Sequence, residues 1–287
     1  RSPWGAVRNS FDPAYISGGS SSGSAAAVAQ GLASFALGTD TAGSGRVPAA
    51  FNNLIGLKPS CGSLSTRGVV PACQSLDSVS IFALTAEDAA WVQRHAGGID
   101  PLDPWSRQPG TPAAMGWGDG AALRFGHAQT GQLDFLGNAD YDALHDVACG
   151  QLQSLGGEPV AVDITPLLEA ARLLYEGPWI SERYLAVEPL LRSAPQALLP
   201  VTRQIIEAGA LPTATAAFRA QYRLAALRRQ ADALWQHIDV LLLPTAATHW
   251  RLEEVQADPV GTNSALGRYT NFVNLMDMAA VAVPGGF

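Results

Sequence analysis

Residues 18–48 read GGSSSGSAAAVAQGLASFALGTDTAGSGRVP, and this stretch constrains the fold of the whole chain. Two loops rich in glycine and serine, one holding Ser20 and the other Ser44, flank residues 25–37. Alanine and other small residues in that segment predict a closely packed helix. The first loop has the composition of a flexible linker, but linkers rarely lead directly into a buried helix. We therefore predict that the two serine loops are ordered and fold back against each other.

Beyond this stretch, strand and helix patterns alternate along the chain. The predicted strands are residues 123–126, 159–164 and 240–243, and the predicted helices are residues 141–155, 166–175 and 214–238. On the last helix, the stripe predicted to face the core consists of Phe218, Tyr222, Ala225, Leu234 and Trp235. Residues 101–120 carry proline, glycine and tryptophan without periodicity and predict a surface loop. Such alternation is typical of an α/β fold.

The composition is that of a compact and acidic globular protein. The chain has 287 residues, enough for one large domain or two ordinary ones, and 47% of them are apolar while 15% are charged. Eighteen basic and 25 acidic side chains leave a net charge of −7, which argues against nucleic acid or an anionic membrane as the main partner. The longest apolar stretch, residues 25–37, is shorter than the roughly 20 residues that a membrane span needs.

Motifs for metals and cofactors are missing from the sequence. The three cysteines form no C-x-x-C pair and the five histidines form no H-x-x-x-H motif, so we expect neither a disulfide framework nor a metal site. A phosphate loop is equally unsupported, because Lys58 is the only lysine and follows neither glycine loop directly. We expect a protein without metal or cofactor that works in the reducing cytoplasm.

With metal and cofactor motifs missing, catalysis by a serine remains possible. One form of serine catalysis uses a histidine. The pattern G-x-S-x-G occurs at residues 19–23, and Asp239 and His249 follow in the order of an α/β-hydrolase. The turn that carries such a serine needs a buried strand directly before it, whereas residues 9–17 have no continuous apolar run. This interpretation is therefore weak.

The other form of serine chemistry centres on Ser44 and needs no histidine. The small residues around Ser44 leave backbone N–H groups free to stabilise a developing oxyanion. The predicted donors are the N–H groups of Thr41, Ala42, Gly43 and Ser44. Asp40 and Arg46 are expected to brace this loop.

The two glycine loops, residues 18–24 and 38–48, closely resemble the amidase signature. The resemblance continues through GLKP at residues 56–59, STRG at 65–68 and DSV at 77–79. It implies an α/β fold with a mixed β-sheet core flanked by helices. Residues 1–287 would together form part of an amidase domain.

The resemblance also implies a catalytic triad of two serines and a lysine. Ser44 would attack the amide carbonyl, and Ser20, preceded by a cis peptide bond, would relay the proton. A neutral lysine would act as the general base, and Ser21 would form a supporting hydrogen bond.

Two positions depart from the family pattern. Gly45 stands where many amidases have an aliphatic residue, and we expect it to loosen the backbone beside Ser44. The family's lysine lies several tens of residues before the cis serine, but only 19 residues precede Ser20 and none is a lysine. Lys58 lies downstream and cannot be assigned that role. We therefore interpret the chain as a piece of a longer amidase, cut at both ends, rather than as a degenerate one.

The second half of the chain resembles the allophanate hydrolase branch of the family, through YEGPW at residues 175–179 and Arg183. In that branch a tyrosine and an arginine eight positions apart bind the substrate carboxylate, and Tyr175 and Arg183 have this spacing. Pro178 is expected to break the helix between them so that both side chains face one pocket.

The resemblance to this branch implies ATP-independent hydrolysis of allophanate, with release of ammonia and carbon dioxide, in the use of urea or triazine nitrogen. It also implies a homodimer with a functional link to a urea carboxylase. Three alternatives stay open, namely another amidohydrolase of this family, a non-catalytic amidase-like scaffold, or a tRNA-linked amidotransferase subunit.

Overall fold

The computed structural model describes residue 2 and residues 4–108 and 123–287. Its strands are β1 (Phe35–Asp40), β2 (Ile55–Lys58), β3 (Ser78–Ala83), β4 (Arg124–Ala128), β5 (Glu158–Val162), β6 (Val240–Leu241) and β7 (Ala280–Ala282). Its α-helices are α1 (Ser22–Ala29), α2 (Val47–Phe51), α3 (Ala86–Ala96), α4 (Ala139–Ser154), α5 (Thr165–Glu176), α6 (Ile180–Ser193), α7 (Pro200–Glu207), α8 (Ala214–Asp232), α9 (Leu252–Ala257), α10 (Gly261–Leu266) and α11 (Asn271–Leu275). In the part of the chain that the structure describes, no helix is both long and apolar enough to cross a membrane.

The described strands form two sheets. One has the order β1-β3-β2-β7 and is antiparallel throughout, with Phe35 opposite Ala83 and Gly56 opposite both Phe82 and Ala282. Every residue of β3 is buried, as its central position requires. The other sheet has the order β5-β4-β6 and is parallel, with connections that run through helices. The α/β class is confirmed, and the mixed core takes the form of one antiparallel and one parallel sheet.

The helix predicted over residues 25–37 is wrong in its second half, because α1 ends at Ala29 and β1 begins at Phe35. Gly31 adopts a positive φ of 71° directly after the helix. The N–H of Gly31 donates to Val28 O and that of Leu32 donates to Ala27 O, which is the hydrogen-bond pattern of a glycine-terminated helix. Gly31 therefore turns the chain so that the segment before Ser44 becomes a strand.

The predicted core stripe of α8 is also wrong. Phe218 is 56% and Tyr222 is 72% exposed, and of the other predicted positions Ala225 and Trp235 are exposed and Leu234 is partly buried. The buried face of α8 consists of Ala220, Leu224, Leu227 and Ala231. Both sets follow helical spacing, but a shift of two positions rotates the face by about 200°, so periodicity alone did not select the right one. The face of small and aliphatic residues packs because α5 lies close to it.

The loop predicted at residues 101–120 is described only in part. Residues 101–108 carry no helix or strand, and residues 109–120 lie outside the described residues. In the described part, Asp103 is buried and accepts hydrogen bonds from the backbone N–H of Thr66 and the hydroxyl of Ser65. This part of the loop is therefore attached to the STRG segment.

Lys58, at the end of β2, is completely buried. Its ammonium group donates to the carbonyl oxygens of Pro59 at 2.8 Å and Met278 at 2.9 Å, which joins β2 to the chain before β7. Burial lowers the pKa of Lys58 below its ordinary value of 10.5, although nearby Cys61 and Asp40 act in the opposite direction. The side chain is a structural cross-link within the antiparallel sheet.

Replacing Gly38 of β1 should destabilise the protein. A Cβ at this position would lie 2.6 Å from Ser21 Oγ and 2.7 Å from a ring carbon of Phe82, so Gly38→Ala should lower the free energy of unfolding by about 1–3 kcal/mol. Gly150 lies inside α4, and a Cβ added there would have nothing within 4 Å. Gly150→Ala should therefore raise the free energy of unfolding by about 0.5–1 kcal/mol. Urea unfolding of both variants checks this. Equal effects would mean that the contact with Ser21 is not close.

The buried lysine should give a pH-dependent contribution to stability. Because the pKa of Lys58 is lower in the folded chain than the unfolded value of 10.5, the unfolded state binds more protons between these two pKa values. Stability therefore rises with pH in that window. Lys58→Met removes this contribution, so the wild type should gain stability relative to the variant as pH increases towards 10.5. Parallel curves of urea midpoint against pH would contradict the lowered pKa.

Candidate active site

The loop that carries Ser20 lies against the end of β1. The peptide bond between Gly19 and Ser20 is cis, as the family resemblance implies. Gly18 has a positive φ of 78°, and a Cβ there would lie 2.9 Å from Pro48 Cα, so only glycine fits. The hydroxyl of Ser21 accepts from the N–H of Thr39 and donates to its carbonyl oxygen, both at 3.1 Å. The first serine loop is thereby joined to the strand that leads to Ser44.

The loop that carries Ser44 is organised around the carboxylate of Asp40. This carboxylate accepts from the N–H groups of Gly43 and Gly45 at 2.8 and 3.1 Å, and from two nitrogens of Arg46 at 2.9 and 3.0 Å. Both charged side chains are almost fully buried. Burial would raise the pKa of Asp40, but the guanidinium of Arg46, together with Lys58 and the N–H of Gly45, outweighs burial and holds the pKa below 3.8. The turn around Ser44 is thus held by an ion pair within the loop itself.

The predicted set of oxyanion donors needs a correction at Gly43. Its N–H donates to Asp40 and is not free, because the carboxylate lies beneath the turn. Within the described residues, no hydrogen-bond acceptor is recorded for the N–H groups of Thr41, Ala42 and Ser44. These three groups are the ones that could stabilise a negatively charged oxygen beside Ser44.

Residues that the sequence analysis missed support this loop from α11. The side-chain amide of Asn274 donates to the carbonyl oxygens of Asp40 and Leu76 at 2.7 and 3.0 Å, and its oxygen accepts from Arg46 at 3.0 Å. Thr270, next to α11, lies against Gly43, where a Cβ would be 2.4 Å from its hydroxyl oxygen. The sequence did contain one signal for these two residues, because Thr270 and Asn274 are polar side chains four positions apart in a largely apolar segment.

Gly45 does not loosen the backbone beside Ser44, contrary to expectation. A Cβ at Gly45 would lie 2.1 Å from Ser80 Oγ and 2.3 Å from Ser80 Cβ. Ser80 therefore occupies the space that an aliphatic residue at position 45 would need. Together with the hydrogen bond from the Gly45 N–H to Asp40, this close packing holds the loop firmly.

The structure brings the side chains of Tyr175 and Arg183 together. Helix α5 ends at Glu176 and α6 begins at Ile180, so the chain turns between the two side chains. The guanidinium carbon of Arg183 lies 5.4 Å from the centroid of the Tyr175 ring. Its Nε is buried and has no hydrogen-bond partner among the described residues. Arg183 thus has an unused donor in a held position.

The histidine-dependent alternative has no geometric support. Asp239 pairs with Arg124, and the ring of His249 stacks on Phe51 with its Nε2 2.7 Å from Ile16 O. Neither residue forms a recorded hydrogen bond to a serine in the described chain. Lys58, bonded to two carbonyl groups, likewise forms none with Ser20 or Ser44. Among the described residues, no cluster of three or more His, Cys, Asp or Glu side chains could hold a metal ion.

Comparison with known proteins shows which proteins this chain is similar to. Urea amidolyase from Saccharomyces cerevisiae is 42% identical over 290 residues, which cover all of this chain and 16% of that protein. A solved structure of allophanate hydrolase from Kluyveromyces lactis superposes with a TM-score of 0.92 at 42% identity, over all of this chain and 47% of that one. One subunit of the glutamyl-tRNA(Gln) amidotransferase from Synechococcus sp. is 32% identical over 315 residues, covering all of this chain and 63% of that relative.

The chain therefore spans only part of each of these relatives. The family description that matches it is Amidase, and the match runs over residues 1–287. The paired serine loops and this match over the full length show that the chain belongs to the amidase family.

Proposed function

We propose that this chain is the part of an allophanate hydrolase that carries the nucleophile and recognises the substrate carboxylate. The observation that carries the proposal is Arg183, whose guanidinium lies on Tyr175 with a buried, unpartnered Nε in the described structure. A guanidinium offers two parallel N–H groups to the two oxygens of a carboxylate. Allophanate has such a carboxylate beside its urea group, whereas simple amides do not.

In the proposed mechanism, the hydroxyl oxygen of Ser44 attacks the terminal amide carbonyl of allophanate. The N–H groups of Thr41, Ala42 and Ser44 stabilise the oxyanion of the tetrahedral intermediate. Ser20 passes the proton to the leaving nitrogen, and the carbon–nitrogen bond breaks to release ammonia. Water then cleaves the acyl ester and restores Ser44, and the released carboxycarbamate decomposes to carbon dioxide and ammonia.

The general base in this proposal is a lysine from outside these 287 residues. Lys58 does not qualify, because it is completely buried and its ammonium group is bonded to Pro59 O and Met278 O. Burial does favour a neutral lysine, as the lowered pKa of Lys58 illustrates, but a base must also reach the proton that it removes.

Two considerations favour hydrolysis of allophanate over the activity of the tRNA-linked amidotransferase. The chain is 42% identical to the urea amidolyase and allophanate hydrolase and 32% identical to the amidotransferase. The net charge of −7 is also unsuited to a large contact with tRNA. We further propose a homodimer that works in the cytoplasm with a functional link to a urea carboxylase.

Ser44→Ala should abolish hydrolysis of allophanate by the complete enzyme. Loss of the nucleophile should reduce kcat by roughly 10⁴-fold or more, measured as ammonia release. Ser24→Ala is the matched control, because Ser24 lies in the same stretch but donates only to Leu37 O. A fluorophosphonate should label Ser44, and mass spectrometry locates the adduct. An adduct on Ser20 or Ser21 would show that the nucleophile is wrongly assigned, and no adduct at all would favour a non-catalytic scaffold.

Arg183→Ala should weaken recognition of the substrate carboxylate. A charge-assisted pair contributes about 1.5–3 kcal/mol, so kcat/KM for allophanate should fall by one to two powers of ten. Biuret, in which a carboxamide replaces the carboxylate, should be much less affected. Arg192→Ala, which removes an exposed arginine from the same helix, is the control. Equal losses on both substrates would make Arg183 structural and leave an amidase of unspecified substrate.

A further inference from the structure

Residues 71–77, here called the bridge loop, connect the loop that carries Ser44 to helix α6. At the first end, the hydroxyl of Thr41 donates to the carboxylate of Asp77. The same carboxylate accepts from the backbone N–H groups of Ala72 and Cys73, so it also closes the bridge loop on itself. Asn274 adds a second connection, because its amide donates to Leu76 O and to Asp40 O. The bridge loop is therefore fastened to the turn that carries Ser44.

At the other end, the bridge loop holds the start of α6 through Glu182. The two carboxylate oxygens of Glu182 accept from the backbone N–H and from the hydroxyl of Ser75. The thiol of Cys73 contacts Trp179 O at 3.6 Å, and burial, together with the charge of Glu182, raises the pKa of this thiol so that it stays protonated. These contacts fix the residue immediately before Arg183 in the chain.

Charge-assisted hydrogen bonds to both oxygens of one carboxylate define its orientation as well as its position. Glu182 lies in the first turn of α6, where the N-terminal end of the helix dipole also favours a negative charge. Arg183 also contacts the ring of Tyr175 on α5. The start of α6 is thus held both by the bridge loop and by α5.

We propose that Glu182 is a positioning residue that sets the distance between Ser44 and Arg183 through the bridge loop. The substrate class selected in this way is short amides whose carboxylate lies one amide unit from the scissile carbonyl. This inference rests on the proposed function and extends it, because it assigns the choice of substrate length to residues that touch no substrate. Two clefts of about 180 and 240 Å³ are both lined by Gln74 and Asp77 of the bridge loop.

The test compares kcat and KM of the complete enzyme for allophanate and biuret. Glu182→Ala removes both acceptors, Ser75→Ala removes one donor, and Glu182→Gln restores one acceptor oxygen. Glu188→Ala is the control, because Glu188 lies on the same helix and, among the described residues, pairs with exposed Arg192. The rate at which a fluorophosphonate labels Ser44 reports separately on the nucleophile.

With Glu182→Ala we expect KM for allophanate to rise by about 10- to 100-fold, because Arg183 is no longer held at the right distance. The ratio of kcat/KM for allophanate to that for biuret should fall by a similar factor, while labelling of Ser44 changes at most about twofold. Glu182→Gln should recover part of the ratio, Ser75→Ala should lower it less than Glu182→Ala, and Glu188→Ala should leave it at the wild-type value.

Equal losses on both substrates, or an unchanged ratio in all three variants, would overturn the positioning role. Should Glu182→Ala fail to fold, Ser75→Ala and Glu182→Gln decide the question, because each must still lower the ratio. The proposed function fails in a different way, namely if the wild-type enzyme does not hydrolyse allophanate or is not labelled on Ser44. In that case the positioning role falls with it.

Discussion

The buried ion pair between Asp40 and Arg46 is the interaction on which the rest of the site depends. A carboxylate without a partner would be costly at zero exposure, so each oxygen must find donors nearby. Asp40 finds them in two backbone N–H groups and one guanidinium, all within the next six residues. Satisfying this one side chain bends the chain into the turn that presents Ser44, and the same ion pair joins the end of β1 to the start of α2.

The two halves of the chain contribute different parts of the site. The antiparallel sheet and its loops supply Ser44, the proposed nucleophile, and the N–H groups beside it, whereas α5 and α6, which follow strand β5 of the parallel sheet, supply Tyr175 and Arg183. In the proposed function, the first part performs the chemistry and the second recognises the substrate, so that one can vary while the other stays. Such a separation requires a structure that holds the two parts at a defined distance, and the hydrogen bonds of residues 71–77 to Thr41 and Glu182 connect them.

Local features were predictable from the sequence, and long-range partners were not. The ion pair between Asp40 and Arg46 and the turn between Tyr175 and Arg183 each involve residues within ten positions of one another. Asn274 meets Asp40 across 234 positions, and no spacing rule connects them. The errors have physical causes as well, because an alanine-rich segment favours a helix until one glycine ends it, and an amphipathic pattern on α8 gives two possible buried faces.

The close fit of Gly45 against Ser80 has a consequence for how this loop could change in evolution. Ser80 Cβ itself stands in the way, so an aliphatic residue at position 45 requires glycine at position 80 and not merely the loss of a hydroxyl. Position 80 lies within the central, fully buried strand of its sheet, where glycine weakens pairing. A substitution at either position alone is therefore expected to destabilise the fold, so each of the two positions limits which residues the other can accept.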